Sequence, residues 1–301
     1  MQQTQNHQSQ WLAISLVFLL ASAGPGSAVD GVIEINQSRA LAGGVTAGDT
    51  AGFPVDITES GSYRLTGDLD ATGANRAIQI SVSDVTLDLN GFKIANAQSR
   101  GVTTPNSNDE FDNLAILNGA IVNSGDYAIH LANGEGARVE RIRVRLGGNF
   151  FAIVAGPRCH IIDNVVSATI DDGIAAGGGC VVRGNAIQTA GRGISCSHCT
   201  IANNAISAST VGIQAGASTI TGNTITGGIT GIQTLTGGGC AVIGNTVTDA
   251  SGFGFVGSSL GFGALAHNVF WNNNGGNANA QISPNFVQTD ANLCATNTTC
   301  P

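Results

Sequence analysis

An asparagine returns along the second half of this chain at Asn164, Asn185, Asn204, Asn223, Asn245 and Asn268, at intervals of 21, 19, 19, 22 and 23 residues. Each of the first five stands in one short phrase. An apolar residue precedes it by three positions (Ile161, Val182, Ile201, Ile220, Val242) and another follows two positions later (Val166, Ile187, Ile206, Ile225, Val247). Self-similarity at a fixed period of this length means that the chain stacks copies of one small unit, as a solenoid does.

Residue types decide which solenoid. Leucine-rich repeats of similar length place Leu at most apolar positions, whereas Ile and Val dominate here, with Gly, Ser, Thr and Asn between short alternating runs. Helical repeats need longer periods and good helix formers, but this chain has 43 Gly, 11% charged residues and one Met, a composition for strands and turns. A coil of about twenty residues that rises one strand spacing, roughly 4.8 Å, is a turn of an all-β, parallel β-helix. Inward Ile and Val of successive coils then stack into one core, and asparagines at an equivalent bend pair their amides as a ladder.

A second column keeps the same beat: Ala128-Ile129, Ala152-Ile153, Gly173-Ile174, Gly193-Ile194, Gly212-Ile213, Gly231-Ile232 and Gly254-Phe255. Upstream the pattern loosens through Val85-Thr86-Leu87-Asp88-Leu89-Asn90-Gly91 and Ile116-Leu117-Asn118-Gly119, where Asn90 and Asn118 are 28 residues apart. The excess predicts a polar loop from Ser99 to Asp112, rich in Asn and acidic residues, bulging from that coil. Open strand edges aggregate, so both ends of a β-helix need covers. The expected organisation is therefore residues 1–28 as a secretory signal, 29–69 as an N-terminal cap with first strands, 70–274 as coils, and 275–301 as a C-terminal capping tail.

The signal reading rests on an apolar stretch from Trp11 to Ala23 followed by Gly26-Ser27-Ala28, although residues 1–10 lack Lys and Arg. That stretch is too short to span a membrane, and no later segment is a membrane-span candidate. A net charge of −8 with a single lysine, Lys93, speaks against nucleic acid as a partner. Seven cysteines, all beyond the signal, fit a secreted, periplasmic or cell-surface location. Cys159, Cys180, Cys199 and Cys240 open successive coils, with Ser218 in the remaining slot. Neighbouring coils bring such residues within disulfide range, so Cys159 with Cys180, or Cys180 with Cys199, can bridge. Cys294 and Cys300 are expected to close a short terminal loop. Cys196-Ser197-His198-Cys199 lacks a second ligand pair at metal-site spacing, so no metal site is expected there.

The Ile-x-x-Asn-x-Ile phrase with its Gly-Ile partner, together with Val85 to Gly91, resembles the secreted right-handed parallel β-helix proteins of the pectate-lyase-like superfamily. The resemblance covers about Val55 to Asn274. It implies a right-handed coil and a long groove on one face that holds an extended sugar chain, and it leaves the activity open.

The outward side chains that precede the Gly-Ile column form the best site candidate: Asp126 and Tyr127, then Asn149, Phe150 and Phe151, then Asp171 and Asp172, then Arg192. His130, Ser195, Gln214 and Gln233, just after the Ile positions, continue that face. Aromatic rings beside carboxylates and an arginine suit a pyranose and its hydroxyls. Hydrolysis would draw an acid and a base or nucleophile from Asp126, Asp171 and Asp172. Lyase chemistry would use Arg192 or His130, with Ca²⁺ on Asp171 and Asp172 as the one cofactor considered. Asp171-Asp172-Gly173 reads equally as a tight turn, and the basic residues that lyases of the superfamily place around calcium have no match here. In Arg138-Val139-Glu140-Arg141-Ile142-Arg143-Val144-Arg145-Leu146, strand alternation sends Arg141, Arg143 and Arg145 outward as a basic stripe, either a dock for polyanionic glycan or salt-bridge partners of neighbouring carboxylates such as Asp163. The reading that results is a secreted protein engaging extracellular polysaccharide, with cleavage an open question. The competing class is a non-catalytic surface or adhesion module in which the coils act as a spacer.

Overall fold

The twenty-residue beat is one turn of a parallel β-solenoid of about 10 turns with almost no helix. The structure, a computed structural model, describes residues 31–301 except 107, 147–149, 170, 209, 237, 259–262, 284–287, 296–299 and 301. The signal segment and Asn149 lie outside the described residues.

Each coil contributes to three faces. One is a 10-stranded sheet that starts with Val55–Ile57 and ends with Phe255–Val256. The other two are stacks of short strands that share one 20-stranded sheet. They merge because two long strands, Ala115–Val122 and Arg138–Arg145, run unbroken round the corner between the stacks. Every described pairing between these strands is parallel, as coiling in one sense requires.

Three apolar columns fill the interior. Ile129, Ile153, Ile174, Ile194, Ile213, Ile232 and Phe255 stack on the 10-stranded face, all at 0% exposure. Ile161, Val182, Ile201, Ile220, Val242 and Leu265 form the second column, and Val166, Ile187, Ile206, Ile225, Val247 and Phe270 the third. Each such side chain contributes roughly 1.5–3 kcal/mol by leaving water. The small residues before the first column have a packing cause. A Cβ built on Gly173 would sit 2.6 Å from Ile187 Cγ2 and 2.8 Å from Gly193 O, closer than packed atoms approach.

The corner between the two stacks is made by one left-handed residue and then the asparagine. Asp163, Gly184, Asn203, Gly222, Gly244 and His267 all have φ between 55° and 70°, and the ladder asparagine follows each. Asp, Asn and Gly suit that conformation, so the turn is written twice, once in each residue. Asn204 is a representative rung. Its Oδ1 accepts from Asn185 N at 3.0 Å and Asn185 Nδ2 at 3.0 Å, while its Nδ2 donates to Val182 O at 3.0 Å and Asn223 Oδ1 at 2.9 Å. The ladder also runs one rung beyond the sequence reading: Asn268 N and Nδ2 donate to Asn292 Oδ1 at 3.0 and 2.9 Å, and Leu293–Cys294 pairs with Val269–Trp271.

Both ends use a glutamine amide as a substitute strand. Near the start, helix Gln37–Ala42, capped by Asn36 Oδ1 accepting from Arg39 N, presents Gln37 to Asp70: Asp70 N donates to Gln37 Oε1 at 2.8 Å and Gln37 Nε2 donates to Asp70 O at 3.1 Å. Near the end, Gln281 does the same to Asn273, at 2.8 and 3.1 Å. Each amide satisfies the N–H and C=O of one residue that would otherwise offer an open edge.

Disulfides join Cys159 to Cys180 across neighbouring coils, with Cα atoms 4.5 Å apart, Cys196 to Cys199, and Cys294 to Cys300. Of the two open alternatives the structure takes Cys159–Cys180. Cys199 does not bridge to Cys180 because its sulfur is taken by Cys196, three residues away. Cys240 is a buried free thiol.

Candidate functional site

Outward side chains of the 10-stranded face stand in two rows, one on each side of the inward isoleucine column. The register aligns Arg76 with Arg100 and Arg100 with Tyr127. Phe151, Asp172 and Arg192 continue that row, each two residues before its paired isoleucine. The second row runs through Asp56, Gln79, Thr103, His130, Val154, Ala175, Ser195, Gln214 and Gln233. At roughly 4.8 Å per coil, the track from Arg76 to Gln233 is about 34 Å long.

Its centre is aromatic. The Tyr127 ring lies 6.0 Å from Phe151 at an interplanar angle of 4°, 5.9 Å from Phe150, and 4.7 Å from His130 in an edge contact. Phe150 is exposed. Arg100 covers Tyr127 from the N-terminal side, its Cζ 5.3 Å from the ring centroid. Burial, and then the charge of Arg100, push the His130 imidazole down to about 4, so it is neutral at physiological pH. Asp126 enters this coil beside Tyr127 and accepts from Ser99 Oγ at 2.6 Å.

On the C-terminal side is a relay of polar groups. Asp172, only 1% exposed, accepts Arg192 Nε on Oδ1 at 2.8 Å, and Arg192 Nη2 lies 2.7 Å from Oδ2 as an ion pair without hydrogen-bond alignment. Its Oδ1 also accepts Arg192 N at 3.1 Å. Arg192 Nη1 donates to Gln214 Oε1 at 2.5 Å, and Gln214 Nε2 to Gln233 Oε1 at 2.9 Å. The hydrogen bond to Asp172 raises the Arg192 guanidinium above its ordinary value. The hydrogen bond on Oδ1 and the close ion pair on Oδ2 together orient the guanidinium.

The structure thus brings Tyr127, Phe151, His130, Asp172, Arg192 and Gln214 onto one face, with Asp126 and Asp171 at its entry turns. The basic stripe lies elsewhere. Arg141, Arg143 and Arg145 are on the 20-stranded sheet, where Arg143 neighbours Ala120 and Val165. Arg141 is itself the left-handed corner residue of its coil, with φ 56°, and it pairs with buried Glu140, as Arg138 does. Its carboxylate partner is therefore a neighbour in its own strand and not Asp163.

Arg76, Arg100, Gln79 and Asp56 were missed in the sequence reading. The signal was present, since Ala77-Ile78 and Gly101-Val102 are small-apolar pairs of the same column and each arginine precedes its pair directly. The loop after residue 103 hid the beat.

Among the described residues, no group of three or more His, Cys, Asp or Glu side chains converges as a metal site would. Six of the thiols are in disulfides, and Cys240, whose thiol burial pushes up from its ordinary value, is enclosed in the core. No helix among the described residues is long and apolar enough to cross a membrane.

Solved structures similar to this one include the lacto-N-biosidase from Eubacterium ramulus, at 12% identity and TM-score 0.57 over 82% of this chain and 60% of that one. The Dettilon tailspike protein matches at 14% and 0.54 over 81% and 60%, and the mannuronan C-5 epimerase A-module from Azotobacter vinelandii at 14% and 0.51 over 71% and 68%. The chain spans only 60% of the tailspike and biosidase chains, and at these identities the likeness is one of fold. No curated protein matches the sequence significantly. A family model described as periplasmic copper-binding protein (NosD) matches residues 76–290. With that stretch covering well over half of the 301 residues, the chain belongs to the NosD family of parallel β-helix proteins.

Proposed function

We propose that the 10-stranded face binds a linear polysaccharide, and that the protein acts on it in the periplasm or outside the cell. The observation that carries this reading is the Tyr127–Phe151 platform set between Arg100 on one side and the Arg192–Gln214–Gln233 relay on the other. A sugar ring presents an apolar face to an aromatic ring and hydroxyls to guanidinium and amide groups, and the parallel sheet sets aromatic, guanidinium and amide side chains on successive coils of one face. The sugar chemistry in the names of the epimerase and biosidase neighbours is compatible with this use of the fold. Three disulfides fit an oxidising compartment.

Binding is the activity that the geometry supports best. Asp172 reads as the anchor of Arg192 rather than as an acid, a base or a calcium ligand, because it is 1% exposed, its Oδ1 accepts from Arg192 N and Nε, and Arg192 Nη2 is 2.7 Å from its Oδ2. Asp126 and Asp171 are the carboxylates of the face assigned to any acid–base step. The copper of the family's description finds no matching ligand set among the described residues: copper favours thiolate, thioether and imidazole donors, and here the thiols are bonded or buried and the imidazoles stand apart. No step is assigned to a metal.

The test is a glycan array read with the mature chain, with Tyr127→Ala and Phe151→Ala beside it, followed by product assays across pH on the polymers retained. Loss of an aromatic stack should weaken binding about 3- to 10-fold per ring. Products formed by the parent chain but not by Asp126→Asn or Asp171→Asn would establish cleavage. Absence of binding to every neutral and acidic polymer would leave the spacer reading.

A further inference from the structure

We propose that the N-terminal end of this face is a subsite for an acidic sugar, with Arg76 and Arg100 holding the carboxylate or sulfate of a unit whose ring lies against Tyr127. The inference deepens the glycan reading and rests on it.

Arg76 and Arg100 are direct neighbours across two parallel strands. Like charges at that spacing repel, and a fold normally relieves the repulsion with a carboxylate. Here, none of the ion pairs among the described residues involves either side chain. Their polar contacts are neutral. Arg76 donates to Gln79, and Arg100 Nη1 donates to Asn106 Oδ1 at 2.7 Å and Thr103 Oγ1 at 3.3 Å. The nearby carboxylates are engaged otherwise: Asp56 accepts from Gln79 Nε2 at 2.8 Å and Asp126 from Ser99 Oγ at 2.6 Å. Arg192 at the other end of the same row is the contrast, with a carboxylate of its own in Asp172. Burial, and then the Arg76 charge, lower the Arg100 guanidinium from its ordinary value; Asp126 acts on Arg100, and Asp56 on Arg76, only at longer range and offset this in part.

An acidic substituent would supply the direct ion-pair partner that both guanidinium groups lack among the described residues. Guanidinium forks match the two oxygens of a carboxylate or sulfate, and Arg100 lies over Tyr127 on the side away from Phe151, so a group held by the arginines sets its ring against the edge of the Tyr127–Phe151 stack.

The test follows the Nε–Hε resonances of Arg76 and Arg100 by NMR during titration with sodium glucuronate, glucose or inorganic sulfate, with glycan-polymer binding measured on the same samples. Expected are saturable shifts with glucuronate, none with glucose, weaker ones with sulfate, a tenfold or greater loss of affinity in Arg76→Ala/Arg100→Ala, and partial retention in Arg76→Lys/Arg100→Lys. Arg143→Ala, on the other sheet, should leave binding unchanged. Glucuronate binding without polymer binding would uphold the subsite and sink the polysaccharide reading. Polymer binding indifferent to both arginines, or equal shifts with glucose, would overturn the subsite.

Discussion

Replacing Asn204 by Ala asks how much of the solenoid depends on its asparagine ladder. The substitution removes an acceptor from Asn185 N and from Asn185 Nδ2, and a donor from Val182 O and from Asn223 Oδ1. Two of these groups keep partners: Asn185 Nδ2 still reaches Ile161 O, and Asn223 Oδ1 still receives Asn204 N. The cost therefore falls on the buried Asn185 N–H and the Val182 carbonyl. A buried polar group left unpaired costs about 1–3 kcal/mol, and loss of one bond to a carbonyl about 1 kcal/mol, so the sum is about 2–4 kcal/mol. The control is Asn75→Ala, an exposed asparagine whose backbone is not left-handed, expected within about 0.5 kcal/mol of the parent. Urea unfolding followed by circular dichroism compares them, with amide hydrogen exchange locating the loosened coils, since solenoid stability is a sum over neighbouring repeats. If Asn204→Ala unfolds at the same urea concentration as Asn75→Ala, the ladder is ornament and the argument for it fails.

Three further outcomes follow from the same contacts. His130 takes up a proton near pH 4 in the folded chain against an ordinary 6.5, so the unfolded chain binds that proton first; stability falls as pH drops from 6.5 to about 4 and this contribution then levels off. The ceiling is about 3 kcal/mol, less after allowance for the ring's partial exposure, and His130→Gln should flatten that part of an acid-unfolding profile. Asp172→Asn removes the counter-charge of Arg192 and should destabilise by about 2–4 kcal/mol while weakening glycan binding; a variant as stable as the parent would contradict the anchoring role. Joint Cys159→Ser and Cys180→Ser substitution opens a 21-residue link, worth about 3 kcal/mol by chain entropy, measurable as a lower urea midpoint under non-reducing conditions.

The fold was legible because its constraints repeat. Ile129, Ile153 and Ile174 keep one beat with the asparagines, and every coil restates the register, so a loop in one place does not erase it. Caps are written once, which is why Gln37 and Gln281 could not be singled out: the backbone groups they cover are visible only when the coils are stacked. Asn292 escaped for a related reason, since residues 272–281 fold over the last coil and interrupt the phrase before its final return. On the 10-stranded face, Tyr127, Asp172 and Arg192 could be aligned by counting, but Arg76 and Arg100 were hidden by the long loop between their coils and the regular ones. Alternation places Arg141, Arg143 and Arg145 outward and Ile142 and Val144 inward, as the sequence reads, but Glu140 shows its limit: the left-handed residue Arg141 at the corner leaves Glu140 buried beside buried Val139.

The most direct test of the account is a structure of the protein bound to an acidic oligosaccharide. The account predicts sugar rings along the 10-stranded face, one against Tyr127 with its acidic group between Arg76 and Arg100, and the chain running toward Arg192 and Gln214. Sugar seated on the 20-stranded sheet beside Arg143 and Arg145, with the Tyr127 face bare, would contradict it.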